Sequence, residues 1–227
     1  MFWQEDDDKN ELRVPDDVVD VLFSLQCRSI AVDHAYALSQ ALLANAPWLS
    51  EPGIAIHSIH VAGSQNGWAR PEHGSEQQLQ LSRRTKLCIR LPRTRVAALK
   101  AALEGQTLDV GGSALHIRDG KERLLSREST LFARYVAGPA GLEEEQFLRW
   151  AAAELDRRGL KMRKAMSGKT TPLATPGGAI ETRSLMIADL KPDESILLQQ
   201  HGLGPHPEMG CGIFVAHKGI DAVHKTK

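Results

Sequence analysis

Residues 18–30, VVDVLFSLQCRSI, alternate in character. Val19, Val21, Phe23, Leu25 and Cys27 fall on one face, and Asp20, Ser24, Gln26 and Arg28 fall mostly on the other. A period of two marks a half-buried strand. HAYALSQALLANA follows, with Asp33 as its candidate cap and Pro47 at its end, and predicts a helix. GIAIHSIHVAG then reads as a short strand and LQLSRRTKLCIRLP as a second alternator. RTRVAALKAALEG is a helix closed by Gly105, and TLDVGGSALHIRDG is a strand pair around Gly111 and Gly112. The order is β-α-β-β-α-β.

The second half repeats that order. TLFARYVAG is a strand, and LEEEQFLRWAAAELDRRG is a helix with acids in its first turn and Arg157, Arg158 and Gly159 at its end, as the helix dipole prefers. LKMRKAMSGKTTPLAT and AIETRSLMIADL are strands joined through Pro176, Gly177 and Gly178. KPDESILLQQ starts a helix with Pro192 in its first turn, and GIFVAHK is the last strand. Two successive split β-α-β units predict an α+β protein of tandem ferredoxin-like domains. The divisions are an acidic tail over 1–16, domains over 17–127 and 128–220, and a basic tail over 221–227.

Net charge does not alter this picture, because 28 Lys and Arg balance 28 Asp and Glu. Its distribution does. Residues 1–20 carry eight acids against Lys9 and Arg13, whereas 83–134 carry twelve Lys or Arg against five acids. A patchy basic body predicts a polyanionic partner. Cys27, Cys88 and Cys211 are scattered in apolar surroundings with no CxxC pair, which reads as reduced core cysteines of a cytoplasmic protein. The chain shows neither an apolar run long enough to span a bilayer nor a signal peptide, so no membrane partner is expected. No His, Cys and Asp cluster has metal-ligand spacing, and neither a metal nor a cofactor is expected.

HGLGPHPEMGCGIFVAHK, 201–218, holds Gly202, Gly204, Gly210 and Gly212 in the pattern G-h-G-x5-G-h-G, where h is hydrophobic. It lacks the Gly-Lys-Ser/Thr of a nucleotide phosphate loop and the spacing of a dinucleotide fingerprint. A motif of this form, between the last helix and last strand of a second ferredoxin-like unit, resembles the RAMP superfamily of CRISPR-associated proteins, specifically its repeat-cleaving endoribonucleases. Similarity to the MYXAN-subtype branch runs through VDHAYALSQALL, NGWARP, LSRRTKLCIRLP, RSLMIADL and the glycine-rich segment.

The resemblance implies a metal-independent ribonuclease that cuts the repeats of a CRISPR precursor transcript and holds the product's repeat hairpin. Attack by the RNA's own 2′-hydroxyl would leave 2′,3′-cyclic phosphate and 5′-hydroxyl ends. The resemblance also implies a catalytic histidine near the start of the first helix, which His34 matches. A helix N-terminus disfavours imidazolium and so keeps a neutral base available; the structural alternative is packing one turn before Leu38. His57 and His60, three apart on the next strand, face opposite ways, so only one can share a site with His34. Tyr36 is a candidate phenol near the phosphate. In the resembled family the glycine-rich loop lies near bound RNA, which makes Gly202, Gly204, Gly210 and Gly212 candidates for backbone approach to an anion.

Two cationic stretches are candidate RNA contacts. One is Arg83, Arg84, Lys86 and Arg90, with Arg84, Lys86 and Arg90 opposite the apolar face of their strand; the other is Arg157, Arg158, Lys161, Arg163, Lys164 and Lys169. Trp68 is a candidate for base stacking. The alternative activity is a non-catalytic RNA-binding subunit of an interference complex, whose other subunits would then be partners. A ferredoxin-like regulator of a small anion ranks last.

Overall fold

The computed structural model describes residues 15–60 and 77–217. Its strands and helices are, in order, β1 (Val18–Gln26), β2 (Ser29–Ala31), α1 (Ala35–Asn45), β3 (Ala55–Ile56), β4 (Gln78–Gln80), β5 (Lys86–Pro92), α2 (Val96–Leu103), β6 (Thr107–Val110), β7 (Ser113–Leu124), β8 (Leu131–Ala137), α3 (Glu144–Asp156), β9 (Lys164–Leu173), β10 (Ile180–Ala188), α4 (Pro192–His201) and β11 (Val215–Ala216). The first sheet runs β3-β5-β1-β7-β6 and the second β11-β8-β10-β9. With the β6–β7 hairpin counted as one edge, each sheet has the antiparallel order of a ferredoxin-like unit. The tandem architecture follows.

Alternation built both sheets. In β1, Val19, Val21 and Phe23 are fully buried and pack with Leu87, Ile89 and Leu91 of β5 beneath α1 and α2. The helices supply Leu38, Leu42, Val96, Leu99 and Leu103, each side chain contributing about 1.5–3 kcal/mol on full burial. In the second half α3 lays Phe147, Ala151 and Leu155, one per turn, against Leu131, Ala133, Leu185 and Ile187. That helix opens with the Glu143 N–H bonded to Gln146 Oε1 at 3.0 Å, and α4 opens with the Lys191 N–H bonded to Glu194 Oε2 at 2.9 Å.

Three local expectations were too simple. The first alternator ends at Gln26, and Ser29–Ala31 leaves the sheet to pair with Gln78–Gln80 as a separate ribbon. LQLSRRTKLCIRLP is two strands, β4 and β5, split by a turn in which the Thr85 N–H reaches Ser82 O at 3.0 Å. Asp33 does not cap α1. His34 holds the cap position, and Asp33 Oδ2 instead accepts the Ala174 N–H at 3.0 Å, tying the two halves together.

The polar face of the first sheet is covered by the second half, and Arg90 is the rivet. It is 2 % exposed and stands opposite Asp20 on β1. Its Nε donates to Asp20 Oδ1 at 2.7 Å, while Nη1 donates to the carbonyls of Gln199 (2.8 Å) and Phe214 (2.9 Å). Gln199 in turn binds the connecting segment: its Nε2 donates to Ser126 O at 2.6 Å and its Oε1 accepts the Ser126 N–H at 3.1 Å. Further along this seam Ala35, Tyr135, Ala137, Leu173, Met209 and Cys211 form a small apolar cluster, with Tyr36 against its edge. Among the described residues no helix is long and apolar enough to cross a membrane.

Candidate active site

Three pieces of backbone meet where α1 begins: the α1 N-terminus, residues 57–60 after β3, and the glycine-rich loop. His34 joins the first two. Its Nδ1 lies 2.9 Å from Ala31 O, and a carbonyl only accepts, so Nδ1 carries the proton. Nε2 then accepts the Ile59 N–H at 3.0 Å. The ring is 4 % exposed and fixed in one neutral tautomer. Protonation would set two N–H groups against each other at Ile59. The sequence placed His34 at the helix start correctly; in this conformation both nitrogens are occupied by protein.

The four glycines answer to packing. All have positive φ, from 61° at Gly202 to 84° at Gly210. A Cβ at Gly210 would strike Ser58 Oγ, and one at Gly212 would strike the Leu203 carbonyl. The Gly212 N–H donates to Tyr135 O at 2.6 Å and Gly202 O accepts from Arg158 Nη1 at 2.9 Å. The N–H groups of Gly202 and Gly210 are bonded to Leu198 O and Pro207 O. The expected display of these amides to an anion is therefore corrected at Gly202, Gly210 and Gly212, whose donors are spent inside the protein. Gly204 is required by the close Ala137 carbonyl. The loop is a clamp between halves, seated on Ser58 and on β8.

The expected strand carrying His57 and His60 ends at Ile56, so both histidines lie after β3 and the two-residue period does not set their directions; His57 is half-buried and His60 exposed. His57 turns into the seam, its Nε2 3.7 Å from Asp20 Oδ1. Burial lowers its pKa, and the charges of Arg90 and Arg123 add to that against the opposing pull of Asp20, so the ring is neutral. Burial alone would raise the Asp20 carboxyl. His57 and Arg90 beside it outweigh burial and hold it far below the usual carboxylate range. Arg123, opposite Asp20 on β7, donates to Oδ2 at 2.9 Å. Cys88 completes the cluster, its thiol pushed up by burial. Asp20, His57 and Cys88 bring possible metal-ligand atoms within 4.8 Å of one another, a grouping that spacing alone did not reveal. Both Asp20 oxygens are engaged by arginine, and that positive charge opposes a cation. His60, next in the chain to the fully buried Ile59, is exposed. Tyr36 is half-buried on the first turn of α1.

The cationic candidates divide sharply. Arg83 and Arg84 are exposed in the turn before β5. Lys86 donates to Ser24 Oγ at 2.8 Å, and Arg90 is buried, so the expected basic strand face is a buried seam and Arg90 is no phosphate contact. In the second stretch Arg157 pairs with Glu154, Arg163 makes a two-pronged bond to Glu194 (2.7 and 2.9 Å), and Lys164 lies 3.0 Å from Asp189. Arg158 reaches Gly202 O. Lys161 and Lys169 are exposed. Trp68 lies outside the described residues. Sequence reading missed Asp20 and Arg123, whose roles arise from cross-strand register. It also missed His206, held at φ 65° inside the glycine-rich loop with Nδ1 3.3 Å from Glu208 Oε1. A histidine among glycines was its only signal.

The profile of the Cas6 Crispr family matches residues 19–219. The chain is 28 % identical over 204 residues to the CRISPR-associated endonuclease Cas6 of Myxococcus xanthus (strain DK1622), covering 87 % of this chain and 80 % of that one. Among solved structures it is similar to a CRISPR-associated Cas6 protein (TM-score 0.63, 12 % identity, 88 % of this chain and all of that one). It is also similar to a RAMP protein binding different RNA substrates (0.59, 13 %, 88 % and 100 %) and to a Cas6-related protein from Pyrococcus furiosus (0.57, 13 %, 87 % and 97 %). These low-identity likenesses show the fold, two ferredoxin-like units in tandem, and the family match spans nearly the whole of both: the chain belongs to the Cas6 family of CRISPR-associated proteins.

Proposed function

We propose that this protein is an endoribonuclease that cuts CRISPR precursor RNA within its repeats, at the mouth of the seam between its two halves, and keeps hold of the repeat hairpin. The observation that carries this reading is the convergence at His34. One buried imidazole fixes residues 57–60 against the α1 N-terminus, while Gly210 seats the glycine-rich loop on Ser58. The Cas6 name of the Myxococcus relative supplies the class of reaction.

In this reading the 2′-hydroxyl attacks the adjacent phosphorus as the bond to the 5′-oxygen breaks, giving a 2′,3′-cyclic phosphate and a 5′-hydroxyl. One proton leaves the 2′-oxygen and one reaches the 5′-oxygen, and neither transfer needs a metal or cofactor. His60 presents an exposed imidazole for the first transfer, and Tyr36 stands at the edge of the same seam for the second. His34 is a positioning residue, because its two nitrogens hold Ala31 and Ile59. Arg83 and Arg84, exposed in the turn before β5, serve as phosphate contacts in this reading. The occupied ring of His34 also favours a second reading, a non-catalytic RNA-binding subunit. Incubation with the cognate repeat in EDTA, with product ends mapped, separates the two. Cyclic phosphate ends and resistance of a 2′-deoxy substrate support the first, whereas binding without cleavage supports the second.

A further inference from the structure

Five residues of the glycine-rich loop have positive φ: Gly202 (61°), Gly204 (81°), His206 (65°), Gly210 (84°) and Gly212 (69°). Four of them are glycine because a Cβ there would come within 2.5 Å of another atom. His206 is the exception. Residues with a Cβ are disfavoured in this region of backbone space, and those held in it gather at functional sites. The other non-glycine residue of positive φ among the described residues, Asp189 (φ 60°), has its side chain 3.0 Å from Lys164. His206 has no such structural pair to another element.

Its ring is oriented from within the loop. Nδ1 lies 3.3 Å from Glu208 Oε1, and a carboxylate only accepts, so in the neutral ring the proton sits on Nδ1 and Nε2 keeps its lone pair. The side chain is 41 % exposed, and Nε2 has no bond among the described residues. His206 opens the single 3-10 turn Pro207–Met209, which packs against α1 and β3. Those elements carry Tyr36 and lead to His60. Gly210, next after the turn, is seated on Ser58. His206 thus belongs to the same convergence of backbone as His34.

An exposed acceptor selects for a donor. Phosphate oxygens only accept, and the Nε2 lone pair repels them. The donor that every ribonucleotide carries is its 2′-hydroxyl, the group by which a protein tells RNA from DNA. We infer that His206 Nε2 accepts a hydrogen bond from the 2′-hydroxyl of one nucleotide bound beside the cut, a ribose other than the one that attacks. The inference rests on the proposed repeat-cutting function and deepens it by naming a specificity-determining contact. Glu208 is a positioning residue, because it fixes the tautomer that leaves Nε2 an acceptor.

The test measures the affinity of the full chain for cognate repeat RNAs that each carry one 2′-deoxy nucleotide. All are also deoxy at the mapped cleavage position, so that nothing is cut. The wild-type profile should hold one position near the cut where the change weakens binding by about 2- to 10-fold, the net worth of one hydrogen bond. In His206→Gly that penalty should vanish while the others persist. Glycine suits φ 65°, so this variant should keep its urea midpoint. Glu208→Gln, whose amide can donate to Nδ1, should shrink the same penalty. Identical profiles in wild type and His206→Gly overturn the inference. Loss of a base-substitution penalty in His206→Gly, with the deoxy profile unchanged, also overturns it and gives Nε2 to a base amine. Wild-type protein that shows the expected profile but leaves the all-ribose repeat uncut overturns the repeat-cutting reading instead and leaves the ribose contact standing.

Discussion

His34 Nε2 accepts the Ile59 N–H at 3.0 Å, so a ring at the start of α1 fixes a segment 25 residues further on. His34→Ala leaves that buried amide without its acceptor, an expected cost of about 1–3 kcal/mol in urea unfolding. His34→Asn, with both a donor and an acceptor, should recover part of the loss. Equal stability of wild type and His34→Ala would remove the brace.

Acid should weaken the fold through His57. Its folded pKa lies below the unfolded value of about 6.5, so the unfolded chain takes the proton first, and stability falls as pH drops below that value. Asp20 works lower: its depressed carboxyl contributes stability above about pH 4 and loses it only as pH falls toward the folded value. Unfolding at pH 8 and pH 5.5 should show a smaller acid loss in His57→Asn than in wild type. The same loss in both would show that His57 is not titrating there.

Gly210 and Gly141 both have positive φ, 84° and 73°, but only Gly210 faces a neighbour, Ser58. Gly141→Ala should cost about 1–2 kcal/mol, the left-handed backbone penalty alone. Gly210→Ala should cost more, and repeat cleavage should slow because the loop lifts from the segment bearing His60. Equal costs would mean that the loop is not clamped there.

RNA affinity should separate the cations by exposure. Replacing Arg83 and Arg84 by Ala is expected to weaken repeat binding and lower the salt slope by about 1–2, a slope unit for each phosphate left without its cation. Arg163→Ala breaks the Glu194 pair and should leave the salt slope near wild type. A larger slope change in Arg163→Ala would reverse the assignment.

Much of this was legible in the chain. Period-two runs such as residues 18–25 located the sheets, and the spacing of Phe147, Ala151 and Leu155 located a helix face, because one buried side leaves a periodic trace. The site was harder. Arg90 reads as one cation among several on a polar strand face, and only the docking of Gln199 and Phe214 makes it a buried rivet. Lys164 and Arg163 look like a phosphate patch until Asp189 and Glu194, some 25 to 31 residues away, close on them. Asp33 carries the local signature of a helix cap, yet Ala174 takes its oxygen. Long-range partners leave no local pattern.

The most direct test compares single-turnover repeat cleavage by wild type, His60→Ala, His34→Ala and His34→Asn, at saturating protein and in EDTA. His60→Ala is expected to be slower by about 10²- to 10⁴-fold with affinity little changed, the usual worth of a positioned acid–base group. His34→Ala should also be slow, and His34→Asn should regain most of the rate, because a brace needs hydrogen bonds and a base needs a titrating ring. Near-normal cleavage by His60→Ala, with His34→Asn as inactive as His34→Ala, would contradict this and make His34 the base.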